Sequence, residues 1–305
     1  MTQRKRRKQV LKRLRRRAVE LDFNGGRITS DAGLLLLRQV DARLGLLDAV
    51  NAAIPDPRDS RYVVHQQREM LAARVFAIAA GYEDENDHQH LRHDPALQVA
   101  AEKQPDDDAS LASPSTLCRL ENRVNRPSMI RMHEVLVDQF LDRYQEPPEE
   151  ITLDIDATDD PIHGQQEGRF FHGYYRSYCY LPLYVFCGSH PLVAYLRSSN
   201  IDAAKHARGI LYLLVRKIRS RWPDVKIIVR GDSGFCRWRL MRSCDRMGVK
   251  YIFGVAKNPA LHRLARDLKE QAKADYEATG VKQRQFTWIR YAAGTWDRPR
   301  QVVAK

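Results

Sequence analysis

The sequence predicts an α/β protein: a mainly helical N-terminal region, then a mixed sheet of three antiparallel strands followed by a β-α-β-α stretch. Three observations carry this. In residues 151–157 apolar Ile151, Leu153, Ile155 and Ala157 alternate with Thr152, Asp154 and Asp156, which marks a strand with one apolar face. Residues 180–187 and 192–197 read as two further strands, giving an antiparallel meander. The apolar run Val225-Lys226-Ile227-Ile228-Val229 lies between helical patterns at 203–221 and 235–247, so this fourth strand is expected to run parallel to the first.

The elements follow in order. Residues 1–17 hold ten Lys or Arg and no acid. They read as a basic arm (1–18), either a segment that orders on nucleic acid or a solubilising tail. Residues 19–23 alternate like a strand, and Asn24-Gly25 is a hairpin turn signal with return over 27–29. Thr29 or Ser30 caps a helix to about Arg43, with Leu34 to Leu37 inside. A helix over about 62–80 carries Val63, Val64, Met70, Leu71, Val75, Phe76 and Ile78, and Gly81 follows as its C′ residue. The acidic and histidine-rich stretch 83–94 lacks zinc-site spacing and reads as a solvated helix junction. Helices at about 114–124 and from 127 onward could form a helix-turn-helix with Arg119, Arg123, Arg126 and Arg131, but ordinary helix packing is the favoured reading. Residues 19–146 thus form the helical domain, and the proline- and acid-rich 147–150 the linker. Beyond the sheet, 250–255 is a strand, 259–276 a helix, and 283–291 and 301–304 are strands that break the alternation.

Composition narrows the function. At 305 residues and 43% apolar the chain can bury a sizeable core, in two domains or in one with an insertion. No apolar run approaches the ~18 residues of a membrane span, and no secretory signal follows the basic start. Five dispersed cysteines without a C-x-x-C pair argue against a disulfide framework and fit a reducing cytosol. The net charge of +13 is segregated: +10 over residues 1–17, −10 over 18–150 and +13 over 151–305. Nucleic acid is the expected partner, held through its phosphates.

The chemistry centres on two acids. Asp156 lies at the end of the first strand, and Asp232, in Arg230-Gly231-Asp232-Ser233-Gly234-Phe235, lies just past the carboxyl end of the fourth. Neighbouring parallel strands would bring them together where α/β sheets place their ligands. Paired carboxylates suit Mg²⁺, which takes oxygen ligands and keeps room for phosphate. Arg230, Arg237, Arg239, Arg242 and Arg246 surround this pair in sequence as phosphate-binding candidates, with Arg4, Lys5, Arg6 and Arg7 in the arm. Asp154 shares the face of Asp156 without an assigned role. The aromatics around Phe171, Tyr174 and Tyr175 either line the cleft or cover the sheet edge.

The stretches Asp-Ile-Asp-Ala-Thr-Asp-Asp-Pro-Ile-His-Gly-Gln-Gln-Glu (154–167), Arg-Gly-Asp-Ser-Gly-Phe (230–235) and Gly-Tyr-Glu-Asp-Glu-Asn-Asp (81–87) resemble the DDE transposases of bacterial insertion sequences, specifically insertion-sequence family 1380. So do Asn24-Gly25-Gly26 and Ser115-Thr116-Leu117-Cys118-Arg119-Leu120-Glu121-Asn122-Arg123. The resemblance implies an RNase H-like catalytic core over 151–277, with Asp156 and Asp232 as catalytic and metal-binding residues for Mg²⁺ or Mn²⁺. It implies cut-and-paste chemistry on double-stranded DNA at terminal inverted repeats and in the target, by a homodimer in the DNA complex. A bacterial cytoplasmic protein, at the nucleoid when DNA-bound, is expected. The family's third acid is a glutamate on a helix beyond a strand-rich insertion, and 278–305 reads as the start of that insertion, so a truncated transposase is expected. Glu270, on a helix crowded by Arg266, Lys269 and Lys273, is a weaker candidate for that acid. The alternatives are an inactive remnant that binds DNA or transposase subunits, and an RNase H-like nuclease without transposition.

Overall fold

Backbone pairing reaches into the basic arm. The computed structural model describes residues 9–14, 17–21, 28–105 and 110–305. In it β1 (Gln9–Leu14) pairs antiparallel with β2 (Arg17–Leu21), Leu11 opposite Val19 and Gln9 opposite Leu21. The expected strand around Val19 exists and pairs with the arm; the expected turn at Asn24-Gly25 lies outside the described residues. The arm's Val10 and Leu11 therefore serve a ladder, where β-branched and apolar residues are favoured. Arg4, Lys5, Arg6 and Arg7 also lie outside the described residues.

The chain divides into two units, Met1–Val135 and Leu136–Lys305. In the first, α1 (Leu34–Leu44) starts later than a Thr29 or Ser30 cap would place it. The Thr29 hydroxyl instead accepts the Asp31 N–H at 3.0 Å in a turn ahead of the helix. Leu34 is buried, whereas Leu36 is 72% exposed and Leu35 and Leu37 are also exposed, contrary to expectation. Gly45, with φ of 62°, ends α1 and leads into α2 (Leu46–Ala53). The helix expected from residue 62 is shorter: α3 spans Gln67–Ala79. The Asp59 side chain accepts the Arg61 N–H and caps a separate short turn, so Val63 and Val64 never join the helical stripe. Gly81 does close α3, donating to the Ile78 carbonyl while Tyr82 donates to that of Ala77, the paired bonds of a Schellman motif.

Short helices α4 (His88–Leu91) and α5 (Pro95–Ala100) follow, then α6 (Pro114–Asn122) and α7 (Arg126–Leu141). Leu34, Leu47, Phe76, Leu97 and Leu111 form one core, and Ile54, Met70, Leu117 and Leu120 another. Around the α6–α7 turn, Arg123 bonds Asp56 and Gln67, and Arg131 bonds the Ala53 carbonyl. Two of the four candidate arginines are thus spent inside the fold, as ordinary helix packing requires.

The 83–94 stretch is less solvated than its composition predicts, because His88 is fully buried. Burial, with a contribution from nearby Arg74, pushes its imidazole below the usual histidine range. The unfolded chain therefore binds a proton near pH 6.5 that the folded one refuses, so stability falls as pH drops below that value. Urea melts at pH 7.5 and 5.5 should show a pH-dependent loss that His88→Phe diminishes; an unchanged pH dependence in that variant contradicts the burial argument.

The second unit takes up the end of α7, whose Val137, Phe140 and Leu141 join its core with Trp222. Hence the division of contacts falls within α7, upstream of the proline-rich 147–150. Five strands form the central sheet: β3 (Glu150–Ala157), β7 (Leu183–Cys187), β8 (His190–Tyr195), β9 (Lys226–Gly231) and β10 (Lys250–Phe253), in the order β10-β9-β3-β7-β8. β3, β7 and β8 are an antiparallel meander, and β9 and β10 run parallel to β3. This is the RNase H-like arrangement. Between β3 and β7 sits a small sheet of β4 (Asp160–Pro161), β5 (Phe170–His172) and β6 (Ser177–Tyr180). Residues 180–187, expected as one strand, split at Leu181-Pro182, where proline lacks a ladder donor.

α8 (Ala207–Arg221) and α9 (Trp238–Arg246) flank β9. Their apolar faces pack Leu211, Ile218 and Leu240 with Leu153, Ile155, Val185 and Val229. Buried Arg197 donates to the carbonyls of Leu181, Ala203 and Lys205, tying the end of the meander to the loop before α8. The remainder is α10 (Pro259–Leu264), α11 (Arg266–Thr279) and the hairpin of β11 (Thr287–Tyr291) with β12 (Arg300–Ala304). Among the described residues no helix is long and apolar enough to cross a membrane.

Candidate active site

Register brings Asp156 and Asp232 together. Ile155 of β3 faces Gly231 of β9 in the parallel ladder, and each aspartate is the next residue on its own chain. Adjacent strands lie ~4.8 Å apart, so the two acids leave the sheet side by side at its carboxyl edge. Gly231 makes this approach possible: a Cβ there would meet Ile155 Cγ2 at 2.9 Å and the Ile155 carbonyl at 3.3 Å.

Each carboxylate is half fixed by the backbone. Asp156 Oδ1 accepts the Ala157 N–H at 2.8 Å, and Asp232 Oδ1 accepts the Gly234 N–H at 2.8 Å. Among the described residues their Oδ2 atoms have no hydrogen-bond partner, and both residues are exposed. Two free, hard oxygen donors at one edge fit a divalent cation such as Mg²⁺. Among the described residues no group of three or more His, Cys, Asp or Glu could hold a metal ion. Glu270 is exposed on α11, in which no residue is buried, and makes no ion pair among the described residues.

Tyr175 stands beside the two aspartates. Its hydroxyl donates to the Ala157 carbonyl at 3.2 Å. Partial burial, then the carboxylates of Asp159, Asp156 and Asp232, raise its pKa above the usual tyrosine value. One phenol thus feels three carboxylates from two segments, Asp156 and Asp159 at and just past the end of β3 and Asp232 after β9. The sequence marks the Tyr174-Tyr175 pair as cleft or edge aromatics without singling out Tyr175. Asp159, two residues past the end of β3, carries no sequence signal beyond its acidity.

The other candidates separate into two groups. Asp154 is bound bidentately by Arg230, its register partner on β9, with bonds of 2.5 and 2.7 Å. Arg237 pairs with Asp202 at 2.7 Å. Arg239, Arg242 and Arg246 form no ion pair among the described residues and, with Arg208, line a groove between α8 and α9.

A family model described as "Transposase DDE domain group 1" matches residues 11–305. No curated protein matches the chain. Among solved structures, the Mos1 transposase paired-end complex with left transposon end is 12% identical over 75% of this chain and 70% of that chain, with a TM-score of 0.26. A pre-cleavage Mos1 transpososome is 11% identical over 84% and 86% respectively, with a TM-score of 0.24. Likeness that slight leaves the fold to be read from the sheet itself.

Proposed function

Because the chain belongs to the Transposase DDE domain group 1 family, we propose that it is a metal-dependent transposase that cleaves DNA at terminal inverted repeats and joins the freed ends to a target, as in insertion-sequence family 1380. The observation that carries this reading is the register-matched pair Asp156 and Asp232, each with one oxygen free.

In this reading Asp156 and Asp232 would hold Mg²⁺ or Mn²⁺. A divalent ion so held would activate a nucleophile and stabilise a leaving oxygen at phosphorus. The backbone bonds at Ala157 and Gly234 keep the carboxylates oriented before DNA arrives, which lowers the cost of ordering them. Tyr175, bonded to the Ala157 carbonyl, braces the end of β3, which carries Asp156. Water attacks the backbone phosphodiester first, and the 3′-hydroxyl thus freed then attacks target DNA. Arg239, Arg242 and Arg246 contact phosphates, with help from Arg4, Lys5, Arg6 and Arg7. The protein acts as a homodimer on double-stranded DNA, in the bacterial cytoplasm at the nucleoid.

The test is a strand-transfer assay with a duplex carrying the inverted repeats that flank the gene, in Mg²⁺ and in EDTA. Joined product in Mg²⁺ alone supports the proposal, and cleavage without joining would point to a nuclease instead. A second reading rests on the site's acid count: no three-acid metal cluster is present among the described residues. Specific end binding without cleavage would favour a DNA-binding remnant.

Asp154 provides an internal control. Its partner Arg230 is exposed, and surface ion pairs contribute little, so Asp154→Asn should leave strand cleavage within about 5-fold of wild type. A loss as large as that of Asp232→Asn would mean that Asp154, rather than its neighbour, serves the chemistry.

A further inference from the structure

The groove between α8 and α9 differs in character from the aspartate edge. It encloses roughly 680 Å³, and its lining includes Arg208 and Tyr212 from α8 and Trp238, Arg239, Arg242 and Arg246 from α9. Spacings of three or four residues put these side chains on one face of each helix. No acid lines the groove. The nearest in sequence, Asp245, is engaged by Arg298 at 2.7 Å and Arg300 at 3.3 Å. None of the four groove arginines has an acidic partner among the described residues. The Arg239 guanidinium lies 5.3 Å from the centre of the Trp238 ring, and Tyr212 is 52% exposed.

Four arginines without acidic partners on one groove favour a polyanion, and phosphate alone would suit them. Two aromatic rings among them ask for something more. In a duplex the base faces are stacked on one another and offer nothing to a side-chain ring. An unpaired strand presents both a phosphate backbone and free base faces, which is the combination that charged, aromatic grooves take up. We propose that the α8–α9 groove binds an unpaired DNA strand, with a base stacked on Trp238 or Tyr212 and the flanking phosphates on Arg208, Arg242 and Arg246. The inference deepens the transposase reading, on which it rests: such a strand arises when a DNA end is opened for cleavage or joining.

The test measures binding of a fluorescent 12-nucleotide single strand and of the same sequence as duplex, in EDTA so that no chemistry intervenes. Trp238→Ala should weaken single-strand binding about 10-fold, the scale of one lost base stack, while duplex affinity changes less than about 2-fold. Trp238→Phe should recover most of the loss. Exposed Tyr212→Ala offers a second ring variant with little risk to folding, and thermal melts establish that each variant folds. Arg208→Gln with Arg242→Gln should reduce the slope of log K against log salt for single-strand binding by roughly 0.7 per lost phosphate contact. Unchanged single-strand affinity in both folded ring variants overturns the proposal, as does an equal loss for duplex, which would make the groove a general phosphate surface. Full cleavage by Asp232→Asn would refute the active-site assignment and leave these binding results untouched, so the two failures are distinguishable.

Discussion

Asp232→Asn is expected to lower Mg²⁺-dependent strand cleavage by about 1,000-fold, the equivalent of several kcal/mol of lost charge stabilisation at phosphorus. The substitution is conservative in shape. An asparagine oxygen can still accept the Gly234 N–H that Asp232 Oδ1 accepts at 2.8 Å, so the turn into α9 survives. What disappears is the negative charge of the free oxygen. Melting temperature and DNA binding in EDTA should therefore match wild type while cleavage collapses, and Asp156→Asn should behave alike for the same reason at Ala157. Cleavage rates measured under single-turnover conditions decide the matter; a folded Asp232→Asn variant that cuts at the wild-type rate removes Asp232 from the site.

Phe235→Ala is expected to destabilise the second unit by about 3–5 kcal/mol, the cost of deleting a buried aromatic ring and leaving a cavity. Phe235 is 1% exposed and belongs to the core with Ile155, Val229 and Leu240. Its ring also lies 3.2 Å from where a Gly231 Cβ would be, so it packs directly on the strand end that carries Asp232. The melting temperature should fall by about 10 °C, and Phe235→Leu should restore much of it. Melting followed by circular dichroism tests this, and an alanine variant as stable as wild type would mean the core closes over the missing ring.

Much of the catalytic unit is legible in the sequence because its central strands are short, apolar and bounded by turn residues. Val225-Lys226-Ile227-Ile228-Val229 fits little but a strand, and Lys226 to Val229 form most of β9, with Ile227 and Val229 buried. The partnership of Asp156 with Asp232 follows from topology alone once β3 and β9 are neighbours. Other features escape because a local hydrogen bond overrides periodicity. Asp59 caps a turn that detaches Val63 and Val64 from α3, and Thr29 spends its hydroxyl ahead of α1. Exposure is harder still: Leu34 to Leu37 look alike in sequence, yet only Leu34 reaches the core. Ion pairing is equally hidden. Arg230 and Arg242 are both basic residues close to Asp232 in sequence, but the register of β3 with β9 commits the first to Asp154, while the second, on α9, has no acidic partner among the described residues.

The ladder between β3 and β9 joins segments made at different times. Asp156 and Asp232 are 76 positions apart, so at translation rates of ~5–20 residues per second the first acid exists for roughly 4–15 s before its partner is synthesised. The meander of β3, β7 and β8 can form in that interval from local contacts, but the aspartate pair cannot. A nascent chain can therefore carry a half-sheet with Asp156 at its edge while Asp232 is still to be made. The sheet edge that carries both aspartates is complete only with the late, long-range closure of β9 onto β3.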